Sequence, residues 1–305
     1  MSWTKKIWAD QVTIEELLLL AIADRQAGLT VEAESMYLAI LAWINYNLGL
    51  IAEHRGDVLS ALSYYESSYQ IEPEVPYIVN RYAMSLNNSG RIEESIQVLD
   101  NYLKKNTENR DIMFLMVTYL INFGHFEKGR EILEQLLRMN QDDALVLGKL
   151  GECLWRMGRD SEAINNLRRS IDLESGNYNA LFTYGTILLL DGQMKEAELA
   201  LRSALLIQPE SINALINLGA ALYKQNNLEE AEETFIRALR VQPENVNVIV
   251  NLGVIRRCQN KFEEAEKNFI EALAIDPNSV LARNNLGLLF YKQNKLGEAE
   301  QVFRD

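Results

Sequence analysis

INALINLGAALYKQNNLEEAEETFIRALRVQPEN, residues 212–245, is a 34-residue unit that the chain writes again on both sides. Gly219 returns as Gly49, Ala83, Gly151, Gly185, Gly253 and Gly287. Twelve residues further on, a second small position holds Ala61, Ser95, Gly129, Ala163, Ala197, Ala231, Ala265 and Ala299, advancing by 34 at every step. A fixed period of this size marks a stack of units that each bury an apolar face on their neighbours. Within the unit, Leu215, Leu218, Gly219 and Leu222 recur at helical spacing, and so do Leu228, Ala231, Phe235, Ala238 and Leu239. Each unit is therefore two amphipathic helices, and the expected fold is all-α.

A glycine inside a helix costs about 0.5–1 kcal/mol relative to alanine, so the recurrence of Gly219 needs a compensating cause. Close approach of two backbones at Gly219, Ala231 and Ala238 supplies one. Between the helices stand Gly56, Gly90, Gly124, Gly158 and Gly192, then Asn226, Asn260 and Asn294. Both residue types tolerate the left-handed conformation that ends a helix. Pro73, Pro209, Pro243 and Pro277 stop the second helix, and Asn109, Asp143, Asn177, Ser211, Asn245 and Ser279 are placed to cap the next one.

The unit resembles the tetratricopeptide repeat, through Leu215, Leu218, Gly219, Leu222, Ala231, Phe235, Ala238 and Pro243. The resemblance covers nearly the whole chain and is strongest from Ala144 onward. It implies antiparallel helix pairs stacked into a right-handed superhelix, with the first helices lining a concave groove that usually binds peptides.

Composition narrows the function. The formal net charge is −13, which opposes nucleic-acid binding, since that rests on Lys and Arg neutralising phosphates. Anionic membranes are disfavoured for the same reason. Cys153 and Cys258 lie three repeats apart, too far for a disulfide or a shared metal, and a reducing compartment, the cytoplasm, is expected. The apolar run from Leu17 to Ala23 is too short to span a bilayer, and no transmembrane segment is expected. His54 and His125 are two repeats apart, and no phosphate loop, HExxH, GxSxG or CxxC occurs, so no catalytic residue, metal or cofactor is expected.

In chain order, residues 1–41 form a leader and an atypical hairpin, and residues 42–305 form an array of about eight repeats, the last incomplete. The leader holds Trp3 and Trp8, which either cover the first helix or anchor a partner. From Ala33 to Ala61 the period falls six residues short, and the missing six are those that would hold the stop and the cap. No Gly or Pro lies between Val31 and Leu48. Two readings stay open there: one long helix from Val31 to about Arg55 serving two repeats, or a tight turn near Ala42. Fusion would splay the first hairpin and expose apolar surface, so self-association through it, or through the uncapped C-terminal end, is a further expectation. Arg256 stands where Leu222 and Phe290 stand, and its expected arrangement is a packed stem with the head in water.

The candidate binding face lies on the first helices, away from the packing seam. It reads Asn213, Asn217, Tyr223 and Lys224, then Asn247, Asn251 and Arg257, then Asn284, Asn285, Tyr291 and Lys292. A side-chain amide both donates to and accepts from a peptide backbone, so Asn217, Asn251 and Asn285 could grip an extended chain whatever its sequence. This is similar to the asparagine ladder in the repeat region of the O-linked N-acetylglucosamine transferase family. Asn47 continues it, but Arg81, Leu115, Lys149 and Thr183 interrupt it. Toward the N-terminus the same face is aromatic, with Trp43, Tyr46, Tyr77 and Phe114, which reads either as a second interface or as packing against the first hairpin. The carboxylate clamp of chaperone-binding members has no matching set. Two functions follow: a non-enzymatic scaffold binding extended peptide or a protein partner in the groove, or the repeat region of a larger glycosyltransferase whose catalytic part lies beyond Asp305.

Overall fold

A computed structural model describes residues 13–304, which form seventeen α-helices and no strand. Two compact units divide between Met139 and Asn140.

The first unit holds α1 (Ile14–Gln26), α2 (Thr30–His54), α3 (Val58–Ile71), α4 (Pro76–Asn88), α5 (Ile92–Leu103), α6 (Arg110–Asn122) and α7 (Phe126–Met139). The second holds α8 (Ala144–Arg156), α9 (Asp160–Leu173), α10 (Tyr178–Leu190), α11 (Met194–Ile207), α12 (Ile212–Lys224), α13 (Leu228–Val241), α14 (Val246–Cys258), α15 (Phe262–Ile275), α16 (Val280–Lys292) and α17 (Leu296–Arg304). Within each unit every helix packs on the next one in sequence, as the 34-residue period requires.

Local signals place the boundaries. Gly56 (φ 75°) and Gly90 (φ 77°) are left-handed, and Asn226, Asn260 and Asn294 adopt φ of 61°, 62° and 60° at the same point of later turns. Helices α3, α11, α13 and α15 each end two residues before their proline. The side chains of Asn109, Asp143, Asn177, Ser211, Asn245 and Ser279 all accept a hydrogen bond from the backbone N–H three residues on.

The glycine of the first helix leaves room for the side chain sixteen residues on, an aromatic ring at Gly49, Gly219, Gly253 and Gly287 and a leucine at Gly151 and Gly185. A Cβ added at Gly219 would lie 2.6 Å from Phe235 Cζ, and one at Gly253 would lie 2.5 Å from Phe269 Cε1. Phe235 and Phe269 are buried in the cores between α12–α14 and α14–α16. Where the first position is Ala83 or Val117, the residue sixteen further on is Leu99 or Leu133.

Of the two readings for the short interval, the fused helix is the one found. Helix α2 runs for 25 residues without interruption, with no turn near Ala42, and the boundary expected at 41/42 falls inside it. Fusion also changes the reading of apolar runs. Although no spanning segment was expected, α2 is the one helix among the described residues long and apolar enough to cross a membrane, by length and composition alone. It is apolar because it serves two packing faces, first for α1 and then for α3. Residues 1–12, with Trp3 and Trp8, lie outside the described residues.

Candidate functional site

The face singled out by the sequence lies in the second unit, on α12, α14 and α16. In α12 the buried residues are Ala214, Leu215, Leu218, Gly219, Ala221 and Leu222. At 100° per residue these leave Asn213, Ile216, Asn217, Ala220, Tyr223 and Lys224 on the opposite side. Asn213, Asn247 and Asn284 are exposed, whereas Asn217, Asn251 and Asn285 are half-buried at the foot of that face.

The three amides differ in what holds them. Asn217 Nδ2 donates to Thr186 Oγ1 at 2.9 Å, and Thr186 in turn donates to the Phe182 carbonyl at 2.8 Å. Asn285 Nδ2 donates to the Leu281 carbonyl of its own helix at 2.8 Å. The Asn251 side chain makes no hydrogen bond among the described residues. In all three the amide oxygen accepts nothing among the described residues, so each retains capacity for a ligand N–H. Thr186 was not foreseen as part of this row. Its signal is positional, since it stands 31 residues before Asn217 on the preceding first helix.

The flanking residues fall into two groups. Tyr223 is exposed, and its hydroxyl lies 3.8 Å from Cys258 Sγ on the next first helix. Burial and the Cys258 contact push the Tyr223 phenol above its ordinary range, the contact being the larger cause. Tyr291 is two-thirds exposed and Arg257 half-buried. Lys224 is exposed, but Lys292 turns back so that its Nζ sits 5.2 Å from the centre of the Phe262 ring, at the rim of the face. Two of the interrupting positions are closed: Lys149 pairs with Glu152 at 2.9 Å, and Thr183 is buried.

In the first unit the four aromatic residues differ in exposure. Tyr46 is buried at 7% exposure, its ring tilted on Tyr65 at 5.9 Å. Trp43 packs against the Leu17, Met36 and Ile40 cluster of the first hairpin. Tyr77 is exposed, and Phe114 carries the Arg110 guanidinium 6.0 Å from its ring. Packing accounts for Trp43 and Tyr46. Arg256 likewise departs from expectation, because its head is not in water. Its Nε lies 3.0 Å from Glu232 Oε1, and its Nη1 donates to Asn268 at 2.9 Å. Burial alone would raise the Glu232 carboxyl, yet hydrogen bonds from Lys261, Arg256 and Gln259 hold it below the ordinary range. No group of three His, Cys, Asp or Glu among the described residues is close enough to hold a metal.

Stacked helix pairs of fixed length, with first helices that share a polar outward face, define a helical-repeat protein of the interaction class. The tetratricopeptide-repeat profile matches residues 89–153 and 210–278, and that of anaphase-promoting complex, cyclosome, subunit 3 matches 156–238. The chain is a tetratricopeptide-repeat protein. No curated protein sequence matches it. Among solved structures it is similar to a tetratricopeptide repeat protein from Parabacteroides merdae, with 16% identity, 82% of this chain and 98% of that one covered, and a TM-score of 0.60. It is also similar to YrrB, described as a TPR protein with an unusual peptide-binding site, at 20% identity, 60% and 95% coverage, and a TM-score of 0.53. A third is pilF of Pseudomonas aeruginosa, at 18% identity, 64% and 89% coverage, and a TM-score of 0.56. Identities this low establish the fold.

Proposed function

We propose that the chain is a non-enzymatic scaffold that holds an extended peptide segment of a protein partner along α12, α14 and α16. The observation that carries this is the row Asn217, Asn251 and Asn285, one amide per repeat, each with an oxygen left open. Successive first helices bring these amides into one line, and a peptide backbone offers N–H and C=O groups along its length to match them. Exposed Tyr223 and Tyr291 flank the row with amphipathic surface of the kind found at interfaces. YrrB, which shares the fold, is described as having an unusual peptide-binding site. Net charge −13 argues against nucleic acid and anionic membrane as partners, and two free thiols fit a reducing cytoplasm.

The test is peptide-array binding by the parent and by the triple substitution Asn217→Ala, Asn251→Ala, Asn285→Ala, after circular dichroism has confirmed that both fold. Loss of at least ~10-fold in affinity across unrelated extended peptides supports the reading, at about 0.5–1.5 kcal/mol per backbone hydrogen bond removed. Equal binding by both refutes it.

A further inference from the structure

Helix α2 buries two nearly opposite faces. Its first half buries Ala33, Met36 and Ile40 against α1, and its second half buries Ala42, Tyr46, Gly49 and Ala52 toward α3. A third face runs along both halves. It carries Tyr37, Leu41, Ile44, Leu48 and Ile51, spaced by four, three, four and three residues, the seam of a coiled coil. Tyr37 is half-buried, while Leu41, Ile44, Leu48 and Ile51 are 47%, 42%, 37% and 48% exposed.

The repeat explains why this seam is open. The positions of Ile44, Leu48 and Ile51 recur as Ile112, Met116 and Tyr119 and as Ala214, Leu218 and Ala221, all buried at 7% exposure or less. There the preceding second helix folds back and covers them. Leu201 and Leu205 of α11 share one buried cluster with Ala214 and Leu218 of α12. In the first hairpin, Tyr37 and Leu41 occupy the positions of Leu201 and Leu205. They are the residues that should cover Ile44 and Leu48. Because the turn is missing, cover and covered lie in line on one straight helix and cannot meet within a chain.

We infer that a second copy of this chain closes the seam, α2 pairing antiparallel with the partner's α2 about a two-fold axis between Leu41 and Ile44. Residues equidistant from a helix–helix turn face each other in the regular repeats, so the same register sets Leu41 against the partner's Ile44 and Tyr37 against the partner's Leu48. The two-fold axis then repeats both contacts. Charge agrees with direction. Glu34 extends the seam at its N-terminal end and Arg55 at its C-terminal end, and neither makes an ion pair among the described residues. Antiparallel pairing in this register sets Glu34 one turn, about 6 Å along the axis, from the partner's Arg55, a gap that two long side chains bridge, whereas parallel pairing sets like beside like. The hairpin provides 13 residues in α1 and 25 in α2, enough for the ~20–30 residues a side of a standard interface.

The experiment is sedimentation equilibrium of the full chain, with circular dichroism of every variant. The parent should sediment at twice 34.9 kDa, and Ile44→Glu at one chain mass with unchanged helicity, the dimer Kd rising at least ~100-fold. Glu34→Arg and Arg55→Glu should each weaken the dimer, and the double exchange should restore it. A parent that stays single at about 100 μM, an Ile44→Glu dimer, or a double exchange no better than the singles overturns the inference. So does a single-copy parent that floats with phosphatidylcholine–phosphatidylglycerol vesicles, since the seam then belongs to lipid.

Discussion

Gly219→Ala isolates the contact that explains the glycine at this position. The added Cβ would lie 2.6, 2.7 and 2.9 Å from three atoms of the Phe235 ring, distances at which something must shift. Phe235 is 2% exposed and held in the core shared by α11 to α14, so the ring has little room to retreat. Overpacking of this kind costs about 1–3 kcal/mol, against about 0.5–1 kcal/mol gained from alanine's better helix propensity. The net loss is about 0–2.5 kcal/mol, or a fall of up to several degrees in the unfolding midpoint of a unit this size. Gly219→Leu should lose more. Adding Phe235→Leu recreates the pairing that Ala83 and Leu99 already make in this chain, so the double variant should recover part of the loss. Gly297→Ala is the control, because nothing lies within 4 Å of its added Cβ. Thermal and urea melts of these four variants, and of Phe235→Leu alone to close the cycle, decide the matter. A Gly219→Ala midpoint at or above the parent's, with no coupling to position 235, would refute the ring explanation.

Asn226 sits at φ 61°, so Asn226→Gly should be neutral or stabilising and Asn226→Ala should lose about 1–2 kcal/mol in a urea melt. Glu232→Gln should flatten the acid limb of stability. The folded carboxyl titrates below its ordinary 4.5, so its contribution is full above that value and is lost as pH falls through the folded pKa. Melts compared between about pH 5 and pH 3 test this. Thr186→Val removes the hydroxyl that Asn217 donates to, and should weaken peptide binding in the proposed row more than it lowers the melt, read by titration and circular dichroism side by side.

Much of this architecture was written locally. Gly, Asn and Pro punctuate the helices because only they solve a left-handed turn or a forced stop, so each boundary could be read in place. The interval from Ala33 to Ala61 was different in kind, for the absence of a stop leaves both a helix and an unmarked turn open, and only the coordinates separate them. The candidate face was partly legible. Counting by 34 put Asn217, Asn251 and Asn285 at equivalent positions, and all three are half-buried on their helices. The same counting placed Tyr46 with Ile216, but a tyrosine is large enough to tilt back onto Tyr65 and leave the surface. Arg256 was misjudged because its partners Glu232 and Asn268 stand on other helices, 24 and 12 residues away, where no periodicity points.

Helix α2 has a mechanical consequence. In a regular array each turn is a tear line, where an end repeat can peel off by breaking a few contacts. Here no tear line separates the first hairpin from the repeat built on Gly49 and Tyr65, since the intact ladder of α2 runs through both. A tug on α1 is carried along the rod into the Tyr46 and Tyr65 core. The first hairpin and the repeat built on Gly49 and Tyr65 are therefore joined by one helix, and separating them requires breaking that helix.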